Sequence, residues 1–140
     1  MKTALLKSAR SLQQILLVDD EPDIRALVSL ILQRLGGFTV RSVSSGQAAL
    51  DSLREGFTPD IILLDVMMPG MDGVKVLAAM RAMPIIKRLP ICFLTAKIQP
   101  ADIARWRALG VDDVLAKPFI PAKLVEQVRS CWENVKRDRP

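Results

Sequence analysis

The chain has few cysteines, few aromatic residues and no long apolar segment, and each shortage excludes a class of protein. Its 140 residues include two cysteines, too few for a disulfide framework, and only 4% are aromatic, too few for a base-stacking surface. No stretch approaches the ~20 apolar residues of a membrane-spanning helix, and residues 1–14 lack the apolar core of a signal peptide. We therefore expect no membrane partner.

The two cysteines are predicted to be buried, reduced thiols. Cys92 lies inside an apolar run and Cys131 on a stretch with helical periodicity. A disulfide or a metal site is not expected, because a metal site would need more ligands nearby. A protein with such thiols belongs in a reducing compartment, so we expect it in the cytoplasm.

The positive charge lies at the ends of the chain. The formal charge is +5, of which residues 1–14 carry +3 and residues 129–140 carry +2, so the span 15–128 is neutral. Solvated basic ends aid solubility, whereas a nucleic-acid-binding domain concentrates basic residues on one face. We therefore expect no nucleic-acid partner.

Short apolar runs alternate with helical patterns along the chain. Strands are predicted at 15–19, 38–43, 60–65, 90–95 and 112–116, and helices at 22–35, 46–55, 73–82, 100–109 and from residue 121 onward. This alternation predicts an α/β fold, a doubly wound parallel sheet of five strands with helices on both faces. We expect a basic extension at 1–14, one domain at 15–136 and a tail at 137–140, with the polar ENVKRDRP end frayed.

Each of four apolar runs ends in residues that phosphoryl chemistry can use. These residues are Asp19, Asp20 and Glu21 after the first run, then Asp65, Thr95 and Lys117 after the third, fourth and fifth. Because the carboxyl ends of parallel strands lie along one edge of a sheet, all of them should meet there. Each has a simpler interpretation as a helix cap, a turn residue or a solvated charge. If those simpler interpretations were all correct, residues suited to phosphoryl chemistry would follow four strands at the same edge of the sheet by coincidence.

The motifs at these positions resemble the receiver domain of two-component response regulators. The resemblance rests on LLVDDEPDIR, on DIILLDVMMPGMDG, on Thr95-Ala96 and on Lys117-Pro118-Phe119, and it covers about residues 14–136. It implies a flavodoxin-like sheet with the strand order 2-1-3-4-5. It also implies a signalling switch rather than an enzyme acting on a separate substrate.

The resemblance assigns a phosphoryl-transfer role to each residue at this edge. Asp65 would accept a phosphoryl group from a histidine kinase or a phosphotransfer protein. Mg²⁺ would be the cofactor, with ligands from Asp19, Asp20, Asp65 and the backbone carbonyl of Met67.

Three further groups complete the expected site. Lys117 would neutralise phosphoryl charge, and the Thr95 hydroxyl would rotate to bond the phosphate. A cis peptide before Pro118 would aim the lysine into the site.

Three positions either depart from the family pattern or are expected to modulate the lifetime of the phosphoryl state. Val114 stands where a tyrosine or phenylalanine usually turns inward on activation, so coupling would have to run through Thr95 or through Trp106. Trp106 is either a partly buried helix residue or an interface anchor, and the sequence leaves both open. Met67 cannot orient water and Lys97 could shield the phosphate, so we expect a long-lived phosphoryl state.

The partners are defined only by class. Kinase specificity would lie on the first helix, with Ile24, Arg25, Ala26 and Ser29 as candidates, and an unknown downstream protein would recognise the switched face. Whether phosphorylation produces a dimer is open. The alternatives are a pseudo-receiver that is not phosphorylated, and a receiver that is a fragment of a larger regulator or hybrid kinase. A haloacid-dehalogenase-like phosphatase would need a second aspartate where Met67 stands.

Overall fold

The part of the chain that the structure describes contains five parallel strands, five helices and a short two-stranded hairpin. The computed structural model describes residues 11–86, 88–96 and 98–138, without the side chains of Met71, Arg137 and Asp138. The strands are β1 (Gln14–Val18), β2 (Thr39–Val43), β3 (Ile61–Asp65), β4 (Ile91–Thr95) and β5 (Asp113–Ala116). The helices are α1 (Pro22–Arg34), α2 (Gly46–Arg54), α3 (Gly73–Arg81), α4 (Pro100–Ala108) and α5 (Pro121–Asp138).

The sheet has the predicted strand order, β2-β1-β3-β4-β5, with every pair parallel. Every residue of β3 and β4 is buried, as is typical of central strands covered by helices on both faces. The edge strand β2 is partly exposed: its exposed residues Thr39, Arg41 and Ser42 are polar, and its half-buried residues are the valines. The predicted doubly wound α/β fold is confirmed.

Two hydrophobic cores lie on opposite faces of this sheet. Alternate strand residues point to opposite sides, so Leu16 and Leu64 belong to one core and Ile15 and Leu63 to the other. Helices α2, α3 and α4 cover the first face, and helices α1 and α5 cover the second. None of the helices in the described residues is both long and apolar enough to cross a membrane.

The two cysteines are buried and free, as predicted, but they also touch each other. Cys92 lies in β4 and Cys131 on the face of α5 that packs against it, with their sulfur atoms 3.0 Å apart. The hydrogen bond with Cys131, together with burial, raises the pKa of the Cys92 thiol. Sequence periodicity placed each residue in its element but did not indicate this contact.

Two local features differ from the prediction. Helix α5 continues to Asp138 instead of fraying after Trp132, because its apolar stripe extends to the buried Val135. Residues Met67–Met68 and Met71–Asp72 pair as a short antiparallel hairpin directly after β3, in a segment for which no strand was predicted.

A buried ion pair holds together the edge of the sheet where the strands begin. Arg81, at the end of α3, donates to the carbonyl oxygens of Leu89 at 2.6 Å and Gly110 at 2.8 Å. It also pairs with Asp112 at 2.9 Å, and Asp112 accepts the backbone N–H of Ile91, the first residue of β4. The Arg81 and Asp112 side chains are 16% and 8% exposed, so water replaces few of these bonds if one partner is removed.

We predict that Arg81→Met lowers the free energy of unfolding by about 3–5 kcal/mol, because it removes the guanidinium that pairs with the buried Asp112 and bonds the carbonyls of Leu89 and Gly110. The matched control is Arg105→Met. Arg105 also pairs with an aspartate, Asp102, but it is 65% exposed, so its loss should cost about 0–1 kcal/mol. Urea unfolding of the two variants beside the parent chain measures both costs, and equal costs would contradict the role assigned to Arg81.

Candidate functional site

The strand ends meet as predicted at one edge of the sheet. Lys117, just past β5, places its Nζ atom 2.9 Å from Oδ2 of Asp19 and 3.4 Å from Oδ2 of Asp65. Asp19 follows β1, and Asp65 and Thr95 are the last residues of β3 and β4. All four residues lie together because the central strands are parallel and in register.

A cavity of about 230 Å³ opens at this edge. Its walls are formed by Glu21, Asp65, Met67, Thr95, Ala96 and Lys117. A water molecule occupies about 30 Å³ in the liquid, so a tetrahedral anion with several waters can enter. Asp65 and Thr95 are each only 2% exposed, so a group that reacts with them would have to enter this cavity.

Backbone hydrogen bonds fix the loops that carry these side chains. The Lys117 N–H donates to the Thr95 carbonyl at 2.8 Å, which ties the ends of β4 and β5 together. The Met67 N–H donates to Oδ1 of Asp65 at 3.0 Å. Gly73 allows α3 to begin against this loop, because a Cβ there would lie 2.6 Å from the Val66 Cα. The peptide between Lys117 and Pro118 is cis, as expected.

Four carboxyl groups lie close enough to share a cation. Asp19, Asp20, Glu21 and Asp65 each offer an oxygen within 4.8 Å of the others. Asp19 Oδ1 accepts the Glu21 N–H, whereas the buried Oδ2 lies 2.9 Å from the Lys117 ammonium without an aligned hydrogen bond. A buried oxygen of this kind, in an all-oxygen set, fits Mg²⁺.

Glu21 was not among the predicted metal ligands. The signal was present in the run DDE, and Glu21 remains exposed at the mouth of the cavity, 3.8 Å from the Lys117 ammonium. The part predicted for the Met67 carbonyl stays a prediction.

Burial and a neighbouring charge weaken the acidity of Asp65. Burial raises its pKa, the Met67 N–H lowers it, the Asp19 carboxylate raises it and Lys117 lowers it, which leaves the pKa at about 6 against an ordinary value of 3.8. At neutral pH the carboxyl is therefore largely ionised and able to act as a nucleophile.

Lys117 stays charged although it is largely buried. Burial by itself lowers its pKa, but the 2.9 Å contact with Asp19 and the charges of Asp65 and Asp19 outweigh that effect and raise the pKa. The site thus has a permanent ammonium group facing its carboxylates.

The structure decides between the two interpretations of Trp106. Its ring is 6% exposed and meets Phe93 edge-on, with centroids 5.4 Å apart and planes at 74°. The interface-anchor interpretation is therefore wrong, because the ring is not available to a partner. Val114 is half-buried and packs against the same core.

The remaining predicted residues have separate locations. On α1, Arg25 donates to the Asp19 carbonyl at 2.8 Å, so this candidate for kinase specificity also supports the site. Ile24 and Ser29 are half-buried and Ala26 is exposed. Lys97 lies outside the described residues.

We predict that Asp65→Asn stabilises the chain at pH 7.5 by up to about 3 kcal/mol in the presence of a chelator. The folded-state pKa of about 6 lies above the ordinary 3.8, so between these values the unfolded state loses its proton first. Stability is therefore lost as the pH rises from about 4 to about 6, and asparagine avoids this loss.

Thermal unfolding of both proteins at pH 7.5 and pH 4 measures the effect. The difference should be present at the higher pH and nearly absent at the lower one. An equal difference at both pH values would show that ionisation of Asp65 is not its cause.

Comparison with known proteins agrees with this geometry. Residues 15–129 match the family described as the response regulator receiver domain. The DNA-binding response regulator MtrA of Mycolicibacterium smegmatis is 40% identical over 118 residues, which are 84% of this chain and 50% of that protein. The transcriptional regulatory protein PrrA of Mycobacterium tuberculosis is 41% identical over 117 residues, 84% of this chain and 48% of that protein. The chain thus spans about half the length of these relatives.

Solved structures show the same likeness. Chemotaxis protein CheY4 of Vibrio cholerae superposes with a TM-score of 0.81 at 32% identity, over 86% of this chain and 99% of that one. The receiver domain of the sensor histidine kinase PA1611 of Pseudomonas aeruginosa, with magnesium coordinated in its active site cleft, gives 0.76 at 34% identity, over 89% and 99%. On the matched family and these relatives, the chain belongs to the response regulator receiver domains.

Proposed function

We propose that this domain is a cytoplasmic switch that is turned on when Asp65 accepts a phosphoryl group from a histidine kinase or a phosphotransfer protein. The observation that carries the proposal is the Lys117 ammonium between the buried Asp19 and Asp65 carboxylates, beside a cavity that also reaches Thr95. The free cysteines support the cytoplasmic location.

The chemical step needs an ionised Asp65. A carboxylate oxygen attacks the phosphorus atom of the donor's phosphohistidine, an O–P bond forms, and the N–P bond breaks with its electron pair going to the departing imidazole. Lys117, whose pKa is raised by Asp19 and Asp65, holds a positive charge where the transferred oxygens arrive.

Magnesium would be held by the carboxylates of Asp19, Asp20 and Asp65, with Glu21 near enough to contribute. When bound, it supplies the positive charge that lets an anionic phosphoryl group approach several carboxylates. The PA1611 receiver, which resembles this domain in sequence and fold, coordinates magnesium in its active site cleft. The four clustered carboxyl groups support the same cofactor here.

The switch would act through the end of β4. Thr95 can donate a hydroxyl hydrogen bond to a phosphoryl oxygen, and its carbonyl is bonded to Lys117, so the ends of two strands would respond together. Phe93 lies two residues earlier on the same side of the sheet and contacts Trp106 of α4. This path supports coupling to α4 without an aromatic ring at position 114.

The energetics support a strong but incomplete shift between states. Moving an equilibrium from 1:99 to 99:1 requires about 5.5 kcal/mol of differential binding. Charge-assisted hydrogen bonds from Lys117 and Thr95 contribute a few kcal/mol at most. The unphosphorylated domain should therefore bind its downstream protein weakly rather than not at all.

A second candidate role is the receiver part of a longer transcriptional regulator. Its curated relatives MtrA and PrrA are named as DNA-binding or transcriptional regulators, and this chain spans about half their length. The neutral span 15–128 argues that any such DNA contact lies outside the receiver itself. Phosphorylation-dependent dimerisation is compatible with both roles.

We predict that the purified chain gains one phosphoryl group from acetyl phosphate or phosphoramidate in the presence of Mg²⁺. Intact mass measures the gain, which should be lost on chelation and absent from Asp65→Asn. If neither phosphate donors nor beryllofluoride bind, the domain is a pseudo-receiver that serves only as an interaction module. Release of free phosphate from unrelated phosphate esters would instead favour a phosphatase.

We predict that Thr95→Val accepts the phosphoryl group but does not transmit its arrival. Fluorescence of Trp106, measured in a Trp132→Phe background, should change on phosphorylation of the parent and of the matched Thr95→Ser variant, which keeps the hydroxyl. It should change little in Thr95→Val, because valine cannot bond the phosphate. A full change in Thr95→Val would show that the hydroxyl is not needed for coupling.

A further inference from the structure

Met67 differs from the other methionines whose side chains the structure describes. It is 69% exposed, whereas Met68 is 8% exposed, Met80 is fully buried and Met83 is partly buried against the core. Its thioether sulfur is therefore open to small dissolved oxidants, while the sulfur atoms of Met68 and Met80 are shielded by packed neighbours.

The exposed side chain lies at the mouth of the candidate phosphorylation site. Met67 lines the same cavity as Asp65, Thr95 and Lys117. Its backbone is held in place twice, by the N–H bond to Oδ1 of Asp65 and by pairing with Asp72 in the short hairpin. The Cα of Met67 is therefore fixed beside Asp65, and a chemical change on its side chain would occur at the wall of the cavity that contains Asp65.

We propose that Met67 is an oxidation site and that its conversion to the sulfoxide shortens the lifetime of the phosphoryl group on Asp65. This inference rests on the proposed function. The oxidant is a hydroperoxide. The sulfur lone pair attacks one peroxide oxygen, the S–O bond forms and the O–O bond breaks. The other oxygen leaves with a proton as water or an alcohol, so sulfur loses two electrons and the peroxide gains two.

The physical consequence follows from the change in polarity. A thioether is a weak hydrogen-bond acceptor, and at the cavity mouth it offers little to hold a water molecule near the phosphorus atom. A sulfoxide is polar and its oxygen accepts hydrogen bonds, so water is held where an apolar group stood before. Hydrolysis breaks the O–P bond to Asp65 by attack of water on phosphorus, and a held water favours that step.

The buried thiols compete poorly for the same oxidant. Peroxides react with the thiolate, and the raised pKa of Cys92 keeps that group protonated. Cys131 is 3% exposed and lies against Cys92. Limited treatment with peroxide should therefore modify Met67 before the two cysteines and before the shielded Met68 and Met80.

The experiment compares phosphoryl lifetimes before and after mild oxidation of the full chain. The protein is treated with a limited amount of hydrogen peroxide, freed of it, and phosphorylated with acetyl phosphate and Mg²⁺. After removal of the donor, intact mass follows the loss of the phosphoryl group, and peptide mapping locates the added oxygen. Met67→Leu, treated identically, is the matched control because leucine has a similar volume and no sulfur. Met67→Gln places a permanent polar acceptor at the same position.

We expect oxygen on Met67 ahead of Met68 and Met80, and a loss rate about two- to tenfold higher, the effect of one hydrogen bond on a rate. Methionine sulfoxide reductases acting in concert on both epimers should restore the original rate. Peroxide should leave the rate at which Met67→Leu loses its phosphoryl group unchanged relative to its own untreated sample. Untreated Met67→Gln should lose the phosphoryl group faster than the untreated parent chain.

Oxidation that spares Met67, or an unchanged lifetime after Met67 is oxidised, overturns this inference and leaves the proposed function intact. An equal acceleration in Met67→Leu also overturns it, because the cause would then lie elsewhere in the chain. Failure of the untreated chain to accept a phosphoryl group overturns the proposed function, and this inference with it.

Discussion

The site depends on one electrostatic constraint, the need for a cation among several carboxylates at the edge of a buried sheet. Asp19 and Asp65 are almost fully removed from water, and two such charges repel each other strongly at short range. Lys117 offsets this repulsion by standing within 3.4 Å of both. In the proposed function, the same arrangement would hold a divalent cation and would make an arriving phosphoryl group a new partner for the ammonium.

The two edges of the sheet meet the problem of buried charge in opposite ways. At the edge where the strands begin, Arg81 and Asp112 satisfy each other and the surrounding carbonyls, and the result is rigid. At the carboxyl edge the pKa of Asp65 is raised to about 6 and Asp19 keeps an oxygen without an aligned hydrogen bond. Carboxyl groups whose charge and hydrogen bonds are incompletely compensated lower the stability of the fold. They also leave this edge able to respond to a ligand, as functional sites commonly do.

Several predictions from the sequence were confirmed, for identifiable physical reasons. Uninterrupted apolar runs indicated buried parallel strands, and the parallel topology brings the polar residues that follow them together at one edge of the sheet, as predicted; their roles in phosphoryl transfer stay predictions. The cis peptide at Pro118 followed from the resemblance of its motif. Of the two interpretations that the sequence left open for Trp106, the interface anchor was wrong, because the ring is buried and packs edge-on against Phe93.

The sequence by itself determined the elements, their order and the chemical groups at the edge of the sheet, because periodicity and strand-end residue types are local properties of the chain. Only the tertiary structure decided how those groups interact. Distances, burial and hydrogen bonds between distant segments place Lys117 nearer Asp19 than Asp65, bring Cys92 against Cys131 and leave Met67 exposed. These features depend on packing between residues far apart in sequence, and local patterns carry no information about such contacts.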